Sequence, residues 1–98
     1  MVKSEFIELL SEKNPQFNQR EIESMTDFII RTMINGLSNG KRIEIRGFGS
    51  LNIKYLKPRV AMNPQTRQTI QTPGRNKVHY RSSKKLRDAI NPNLVESD

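Results

Sequence analysis

The side chains best suited to chemistry in this sequence are cationic, and they are concentrated between Ile45 and Arg87, a stretch without Asp or Glu. Residues 1–44 carry both signs of charge, and acidic residues follow the stretch from Asp88 onward. A contiguous cationic block repels itself unless a polyanion screens it, and nucleic acid is the commonest such partner. Solubility alone would favour interspersed charges, so the block predicts phosphate binding. Its members are Arg46, Lys54, Lys57, Arg59, Arg67, Arg75, Lys77, Arg81, Lys84, Lys85 and Arg87.

Near the middle of this block, the Asn-Pro-Gln-Thr motif at 63–66 predicts the tip of a long hairpin. Residues 57–75 around it are polar, β-branched and basic, and they lack the apolar alternation that would draw them onto a core. We expect these residues to form a two-stranded ribbon, the arm, which projects into solvent and becomes ordered on binding. At ~3.3 Å per residue, a strand from Pro58 would carry the tip ~20 Å from the body.

No catalytic constellation accompanies these cations. His79 is the only histidine, cysteine is absent, and no paired carboxylates lie near the block. No glycine-rich phosphate loop precedes a predicted helix either. We therefore expect a binding protein rather than an enzyme, with no metal site and no cofactor.

The composition limits the size of the hydrophobic core that could support such a cationic block. A chain of 98 residues, 34% of them apolar, predicts one small domain over residues 1–98 with a thin core. Without cysteine, neither a disulfide nor a thiolate metal site can reinforce that core, so we predict an obligate dimer. No apolar run approaches the ~20 residues of a membrane span and no signal-peptide pattern opens the sequence, which predicts a cytoplasmic protein.

Two helices are predicted in the first part of the chain. Residues 3–12 carry an amphipathic stripe, which the Asn-Pro pair at 14–15 ends. Asn18 with Glu21 forms a capping box that starts the second helix. The apolar residues of that helix cover two adjoining faces, one suited to the first helix and the other to a partner chain.

The apolar period then changes from 3.6 to 2, which predicts strands. Strands are expected on either side of the Gly-Phe-Gly turn at 47–49 and again at 77–81. Ser83 is expected to cap a last helix at 84–90, and residues 92–98 should fray. The fold class is therefore α+β, with two N-terminal helices, a three-stranded antiparallel sheet that extends into the protruding arm, and a short C-terminal helix. The predicted dimer core comprises Met25, Ile29, Met33, Phe48, Leu51, Ile53, Val78 and Tyr80.

Three short motifs of this sequence carry a resemblance to a known family. Residues 42–50 read Arg-Ile-Glu-Ile-Arg-Gly-Phe-Gly-Ser, 63–66 read Asn-Pro-Gln-Thr, and 85–89 read Lys-Leu-Arg-Asp-Ala. In this order and spacing, the chain resembles the bacterial HU and integration host factor family over residues 2–91. The first and last motifs look most like those of the beta subunit of integration host factor.

The resemblance implies an intertwined dimer whose two arms follow the minor groove of double-stranded DNA and bend the duplex sharply. This family is itself a standard example of proteins that insert an apolar wedge between base pairs, and Pro64 would be that wedge. The proline ring is rigid and apolar and has no N–H group to bury unpaired. From the cationic block and the resemblance together, the residues predicted to bind DNA are Arg42, Glu44, Arg46, Lys54, Lys57, Arg59, Met62, Asn63, Arg67, Arg75, Lys77, Arg81, Ser83, Lys84, Lys85 and Arg87.

Arg46 and Glu44 have two interpretations. The resemblance implies that Arg46 enters the minor groove and biases the sequence bound, while Glu44 holds the arginine. The alternative is an ordinary cross-strand ion pair, worth ~0.2–1 kcal/mol on a sheet surface.

The arm tip departs from the family pattern at two places. Ala61-Met62 stands where the family has Gly-Arg, so an arginine that would reach into the groove is missing and Met62 would join the apolar wedge. Arg67 stands where the family has a turn glycine, so a left-handed dihedral at this position would be strained. We expect wedge insertion to be retained, but groove affinity and tip geometry to differ.

Two versions of the function remain open within the resemblance. One is an integration host factor beta-like subunit that pairs with a homologous alpha-type subunit and favours certain sites. The other is an HU-like homodimer with little sequence preference. Either would serve nucleoid organisation, recombination and transcription control, without a membrane or a small-molecule substrate. RNA binding is a more distant alternative, disfavoured because Phe48, Tyr55 and Tyr80 alternate inward and leave no stacking platform.

Overall fold

Two helices open the chain, α1 at Lys3–Lys13 and α2 at Gln19–Ser38. α2 begins at the predicted capping box. The Asn18 side chain accepts a hydrogen bond from the Glu21 N–H at 2.8 Å, and the Glu21 carboxylate accepts one from the Asn18 N–H at 3.1 Å. Two N–H groups that lack partners within the helix are satisfied in this way. The start of α2 is therefore set by local sequence, independently of any tertiary contact.

Five strands and a third helix follow, and the predicted α+β class is confirmed. This computed structural model describes residues 1–93, so most of the tail predicted at 92–98 lies outside the described residues. The last helix spans the predicted residues and begins at Ser83, whose hydroxyl accepts a hydrogen bond from the Leu86 N–H at 3.1 Å. The elements after α2 are β1 (Ile43–Ile45), β2 (Gly49–Leu56), β3 (Arg59–Met62), β4 (Thr69–Thr72), β5 (Arg75–Ser82) and α3 (Lys84–Ile90).

The strands form two separate antiparallel sheets. β1, β2 and β5 make a three-stranded body sheet in the order β1-β2-β5, whereas β3 and β4 form a two-stranded sheet of their own. Arg75, predicted as the last residue of the arm, already pairs with Leu56 in the body sheet. The arm is therefore a hairpin joined to the body through short connecting segments.

Side-chain alternation gives the body sheet two unlike faces. Leu51 lies opposite Tyr80 and Ile53 lies opposite Val78, so these apolar residues share one face, which we call the inner face. Ile53 and Leu37 of α2 line the same concavity, which places the end of α2 on this side of the sheet. The positions that alternate with these along the three strands form the outer face.

The core within one chain is very small. In the described residues, the buried apolar side chains are Ile7 and Ile22, where α1 packs on α2. Thr26 is buried beside them, and its hydroxyl donates a hydrogen bond to the Ile22 carbonyl at 2.8 Å. Lys3 forms a salt bridge with Asp27 across the two helices, and this contact raises the pKa of Lys3. So little buried apolar surface cannot balance the conformational entropy of the chain.

Large apolar side chains remain exposed instead. Ile29 is 59% exposed and Phe48 is 47% exposed, so the residues predicted to pack in a core are not covered within one chain. The radius of gyration is 19.6 Å, whereas a compact domain of this length would have about 13 Å. The other predicted dimer-core residues are either exposed or half-buried: Met25, Met33, Leu51, Ile53, Val78 and Tyr80.

The capping box gives a direct test of the local origin of α2. Replacing Asn18 with Ala removes the acceptor for the Glu21 N–H, so the free energy of unfolding should fall by about 1 kcal/mol. The change can be measured by thermal or denaturant unfolding at fixed protein concentration. Gln16→Ala, at an exposed neighbouring position, is the control, and equal stabilities of the two variants would contradict a role for the cap.

Candidate nucleic-acid interface

The outer face of the body sheet is mostly polar, and its paired positions hold four cations and one carboxylate. Its residues alternate with those of the inner face, so they lie on one side of all three strands. Glu44 is the one carboxylate among its paired positions. Along the sheet, these pairs are Glu44 with Ser50, Ser50 with Arg81, Asn52 with His79, Lys54 with Lys77 and Leu56 with Arg75.

Two lysines face each other at the centre of this surface. Lys54 and Lys77 are direct cross-strand partners, and such partners have Cβ atoms roughly 4.5–5.5 Å apart. Like charges in this position destabilise a sheet. Neither lysine forms a salt bridge within residues 1–93. An anion such as a phosphate, bound above this face, would reduce the repulsion between the two lysines.

One end of the outer face opens into a concavity of about 310 Å³ that brings predicted residues together. Arg42, Arg46 and Arg81 line it with Glu44 and Ser83. Within the part of the chain that the structure describes, Glu44 makes no salt bridge, so the ordinary cross-strand ion pair is not formed. Glu44 lies opposite Ser50, while Arg46 belongs to the turn that follows β1.

The turn at 47–49 and the start of α3 are held together by one carbonyl group. The Phe48 carbonyl accepts a hydrogen bond from the Tyr80 hydroxyl and another from the Ser83 N–H, both at 2.9 Å. At Gly49, a Cβ atom would lie 2.5 Å from the Arg81 carbonyl oxygen, so no side chain fits there. This arrangement places the turn that carries Arg46 directly beside the basic start of α3.

The basic residues of α3 are placed differently from one another. Lys84 donates a hydrogen bond to Asp88 at 2.9 Å, so the charge of Lys84 is paired within the helix by a surface salt bridge. A Cβ atom at Gly47 would lie 3.6 Å from the Lys85 Cδ atom, so the Lys85 side chain extends over the turn. Arg87 is exposed on the same short helix and takes no part in the salt bridge of Lys84. Lys85 thus continues the surface formed by the concavity.

The strands of the arm carry almost no charge. Arg59 is the one ionisable side chain in β3 and β4, whereas Lys57 and Arg75 lie where the arm joins the body. Val60 and Met62 are exposed by 64% and 63%, although they are apolar. Cations are therefore concentrated at the base of the arm, and exposed apolar surface leads toward its tip.

The tip is a short loop closed by backbone hydrogen bonds. The Asn63 N–H donates to the Gln68 carbonyl at 2.9 Å, and the Arg67 N–H donates to the Asn63 carbonyl at 2.7 Å. The Asn63 side chain is also occupied, because it accepts a hydrogen bond from the Gln65 N–H at 2.9 Å. Pro64 stands exposed at the apex of this loop.

Arg67 adopts a left-handed conformation, with φ of 57°, as the family's turn glycine at this position implies. A non-glycine residue loses roughly 1–2 kcal/mol in this region because its Cβ atom approaches the following carbonyl oxygen. The tip therefore stores strain that a glycine would relieve.

Two contacts near the interface have no direct sequence signal. Alternation assigns Tyr80 to the inner face but does not predict its hydrogen bond to the Phe48 carbonyl. The close packing of Tyr55 on Gly74 is likewise absent from any pattern in the sequence. The two glycines that flank Phe48 are a partial signal, since glycines often mark a close approach of the backbone.

Two further features are absent from the described residues. None of their helices has the length and apolar character needed to cross a bilayer. Residues 1–93 also contain no cluster of three or more acidic or histidine side chains arranged to hold a metal ion.

Comparisons with known proteins identify the family. The model of the family described as bacterial DNA-binding protein matches residues 1–91. Integration host factor subunit beta of Hahella chejuensis is 43% identical, with 96% of each chain covered. The subunit beta of Methylococcus capsulatus is also 43% identical, over 93% of this chain and 96% of the other.

A solved structure agrees with this assignment at the level of the fold. The Anabaena HU protein, determined in a cocrystal with DNA, superimposes with a TM-score of 0.82 at 24% identity, covering 94% of this chain and 99% of that one. The resemblance inferred from three short motifs is thereby confirmed over nearly the whole chain. The chain belongs to the bacterial DNA-binding protein family of HU and integration host factor, whose members are architectural proteins rather than enzymes.

Proposed function

We propose that this chain is one subunit of a dimer that binds double-stranded DNA and bends it by inserting Pro64 into the minor groove. The observation that carries the proposal is the outer face of the body sheet, where Lys54 and Lys77 oppose each other without a salt-bridge partner in residues 1–93. A folded protein keeps such a repulsive pair at a cost in stability. That cost is offset when a polyanion binds above it.

A second subunit follows from the uncovered apolar surface. The inner face of the body sheet, the turn at 47–49 and one face of α2 expose residues such as Val78, Phe48 and Ile29. Their burial against a second chain would contribute the hydrophobic stabilisation that one chain lacks. The partner is a second copy or a homologous alpha-type subunit, and both would present the same kind of apolar surface.

DNA would be held by phosphate contacts to the body and by apolar contacts from the arm. The cations of the outer face, of the arm base and of α3 would neutralise phosphates and release counterions. The arm, with few charges along its strands, would follow the minor groove to the point where Pro64 separates two base pairs. Unstacking costs a few kcal/mol per step, and contacts made only by bent DNA would offset it.

The integration host factor beta-like version is favoured over the HU-like homodimer. Relatives that share 37–43% of their residues with this chain carry the name of that beta subunit. Arg46 lines the concavity at the end of the outer face, where it is free of a salt bridge to Glu44 in the described residues. An arginine in this state is available to enter a minor groove. The protein would then act at the bacterial nucleoid, in DNA packaging, recombination and transcription control.

The wedge can be tested by separating bending from binding. In Pro64→Ala the apex loses its rigid apolar ring, while the charges of the body are unchanged. The bend angle should fall much more than the affinity at low salt, as measured by energy transfer between fluorophores on the two DNA ends. Gln65→Ala is the matched control at the apex. Equal bend angles for Pro64→Ala and the unchanged protein would contradict insertion.

The lysine pair can be tested by its opposite effects on free and bound protein. Replacing Lys54 and Lys77 together by Gln should raise the stability of the free protein by ~0.2–1 kcal/mol, because a repulsion is removed. The same double change should weaken DNA binding and reduce the slope of log affinity against log salt by up to about 2, if each lysine contacts one phosphate.

Lys13→Gln, at the exposed end of α1, is the control for this experiment and should leave the salt slope unchanged. A double variant that is less stable and has an unaltered slope would show that the lysines serve packing. A flat salt response of the unchanged protein would contradict phosphate binding itself.

A further inference from the structure

The arm and the body are joined at a break in the strand ladder. The last pair of the body sheet is Leu56 with Arg75, and the first pair of the arm is Arg59 with Thr72. The residues between these pairs include a proline on each strand, at 58 and 73. Proline has no N–H group, so hydrogen bonding cannot continue through both segments. Backbone pairing therefore does not fix the angle between the two sheets.

A side chain of the body sheet packs against one of the segments that connect the two sheets. Tyr55 pairs with Asn76 in the body sheet, which makes Gly74 its diagonal neighbour on the opposite strand. A Cβ atom on Gly74 would collide with the Tyr55 hydroxyl, would lie 2.8 Å from the Tyr55 Cζ atom and would lie 3.1 Å from the Pro58 Cδ atom. The tyrosine ring thus lies over the Gly74 backbone, close to Pro58.

The backbone conformation at Gly74 does not itself require glycine. Positive φ angles occur at Gly40 and Gly47, and Gly74 is not among the glycines with such an angle. What distinguishes position 74 is the absence of space for a side chain beneath the tyrosine ring. Glycine is therefore explained by the contact with Tyr55 and not by a turn.

We propose that Tyr55 is a positioning residue that fixes the direction in which the arm leaves the body. The inference rests on the proposed insertion of Pro64. An aromatic ring with two torsions is a rigid spacer, and this ring, carried by β2 of the body, lies against Gly74 in the segment that connects β4 to β5. When the ring is held against Gly74, the connecting segment is fixed and the arm has one preferred direction. When the ring is removed or displaced, the arm turns about the two proline segments.

The length of the arm makes this angle important for the site of insertion. The tip lies ~20 Å from the break, so a rotation of about 10° at the break moves Pro64 by about 3.5 Å. The rise between base steps in duplex DNA is about 3.4 Å. A small rotation would therefore direct Pro64 to the neighbouring base step, and the Tyr55 contact would select the step that is opened.

A double-mutant cycle tests whether Gly74 is needed because of Tyr55. Gly74→Ala should lower the affinity for a bent-DNA duplex by about tenfold, because the new methyl group displaces the ring. In the Tyr55→Ala background, the same change should lower affinity less than about twofold, since no ring remains to be displaced. An equal loss in both backgrounds would overturn the proposal. Tyr55→Phe keeps the ring and should bind like the unchanged protein.

The position of the opened step gives a measure that general destabilisation would not reproduce. With 2-aminopurine placed at successive steps of one duplex, the unchanged protein should give enhanced fluorescence at one step per arm. Tyr55→Ala should spread the enhancement over neighbouring steps, whereas Tyr55→Phe should not. A single unshifted step in Tyr55→Ala would overturn the proposal.

The arm direction can also be measured without DNA, which separates this proposal from the wedge. The sequence has no cysteine, so Thr69→Cys and Glu23→Cys can carry spin labels in a doubly labelled chain diluted with unlabelled chain. The distance distribution should be narrow in this protein and broad when Tyr55→Ala is added. Equal widths would overturn the proposal. Absence of any opened step in the unchanged protein would instead contradict the insertion of Pro64.

Discussion

Burial of apolar surface is the interaction on which the rest of this structure depends, and one chain cannot complete it. Ile7 and Ile22 are the buried apolar side chains of the described residues, while the inner face of the body sheet and one face of α2 are uncovered. A second chain would cover these faces and hold two outer faces and two arms at a fixed separation. The outer faces and the arms of the two chains would be positioned relative to one another only after that association.

Charge and apolar surface are divided between the two parts of the molecule. The body sheet and its surroundings hold the lysines and arginines, including the repulsive pair of Lys54 and Lys77. The strands of the arm hold a single ionisable residue, Arg59, and expose Val60 and Met62. Electrostatic attraction is long in range and tolerant of geometry, whereas insertion between base pairs requires an accurate direction. The contact of Tyr55 with Gly74 at the break between the sheets would supply that direction.

Local features of the fold could be predicted from the sequence because they depend on neighbours in the chain. The capping box of Asn18 and the bounds of α3 are set within a few residues, and strand alternation assigns Leu51 and Tyr80 to one face. The left-handed Arg67 could be expected only through the family resemblance, because nothing local in an arginine favours that conformation. Contacts between distant residues could not be predicted, because alternation gives a face but not a register or a rotamer. The hydrogen bond of Tyr80 to the Phe48 carbonyl is of this kind.

The requirement for a second chain is tested most directly by the concentration dependence of unfolding. Samples of the purified chain at several concentrations can be followed by circular dichroism during heating, with sedimentation equilibrium to give the mass. The account predicts that folded protein has the mass of two chains and that its unfolding midpoint rises with concentration. A folded monomer with a cooperative transition at the same temperature at every concentration would contradict it.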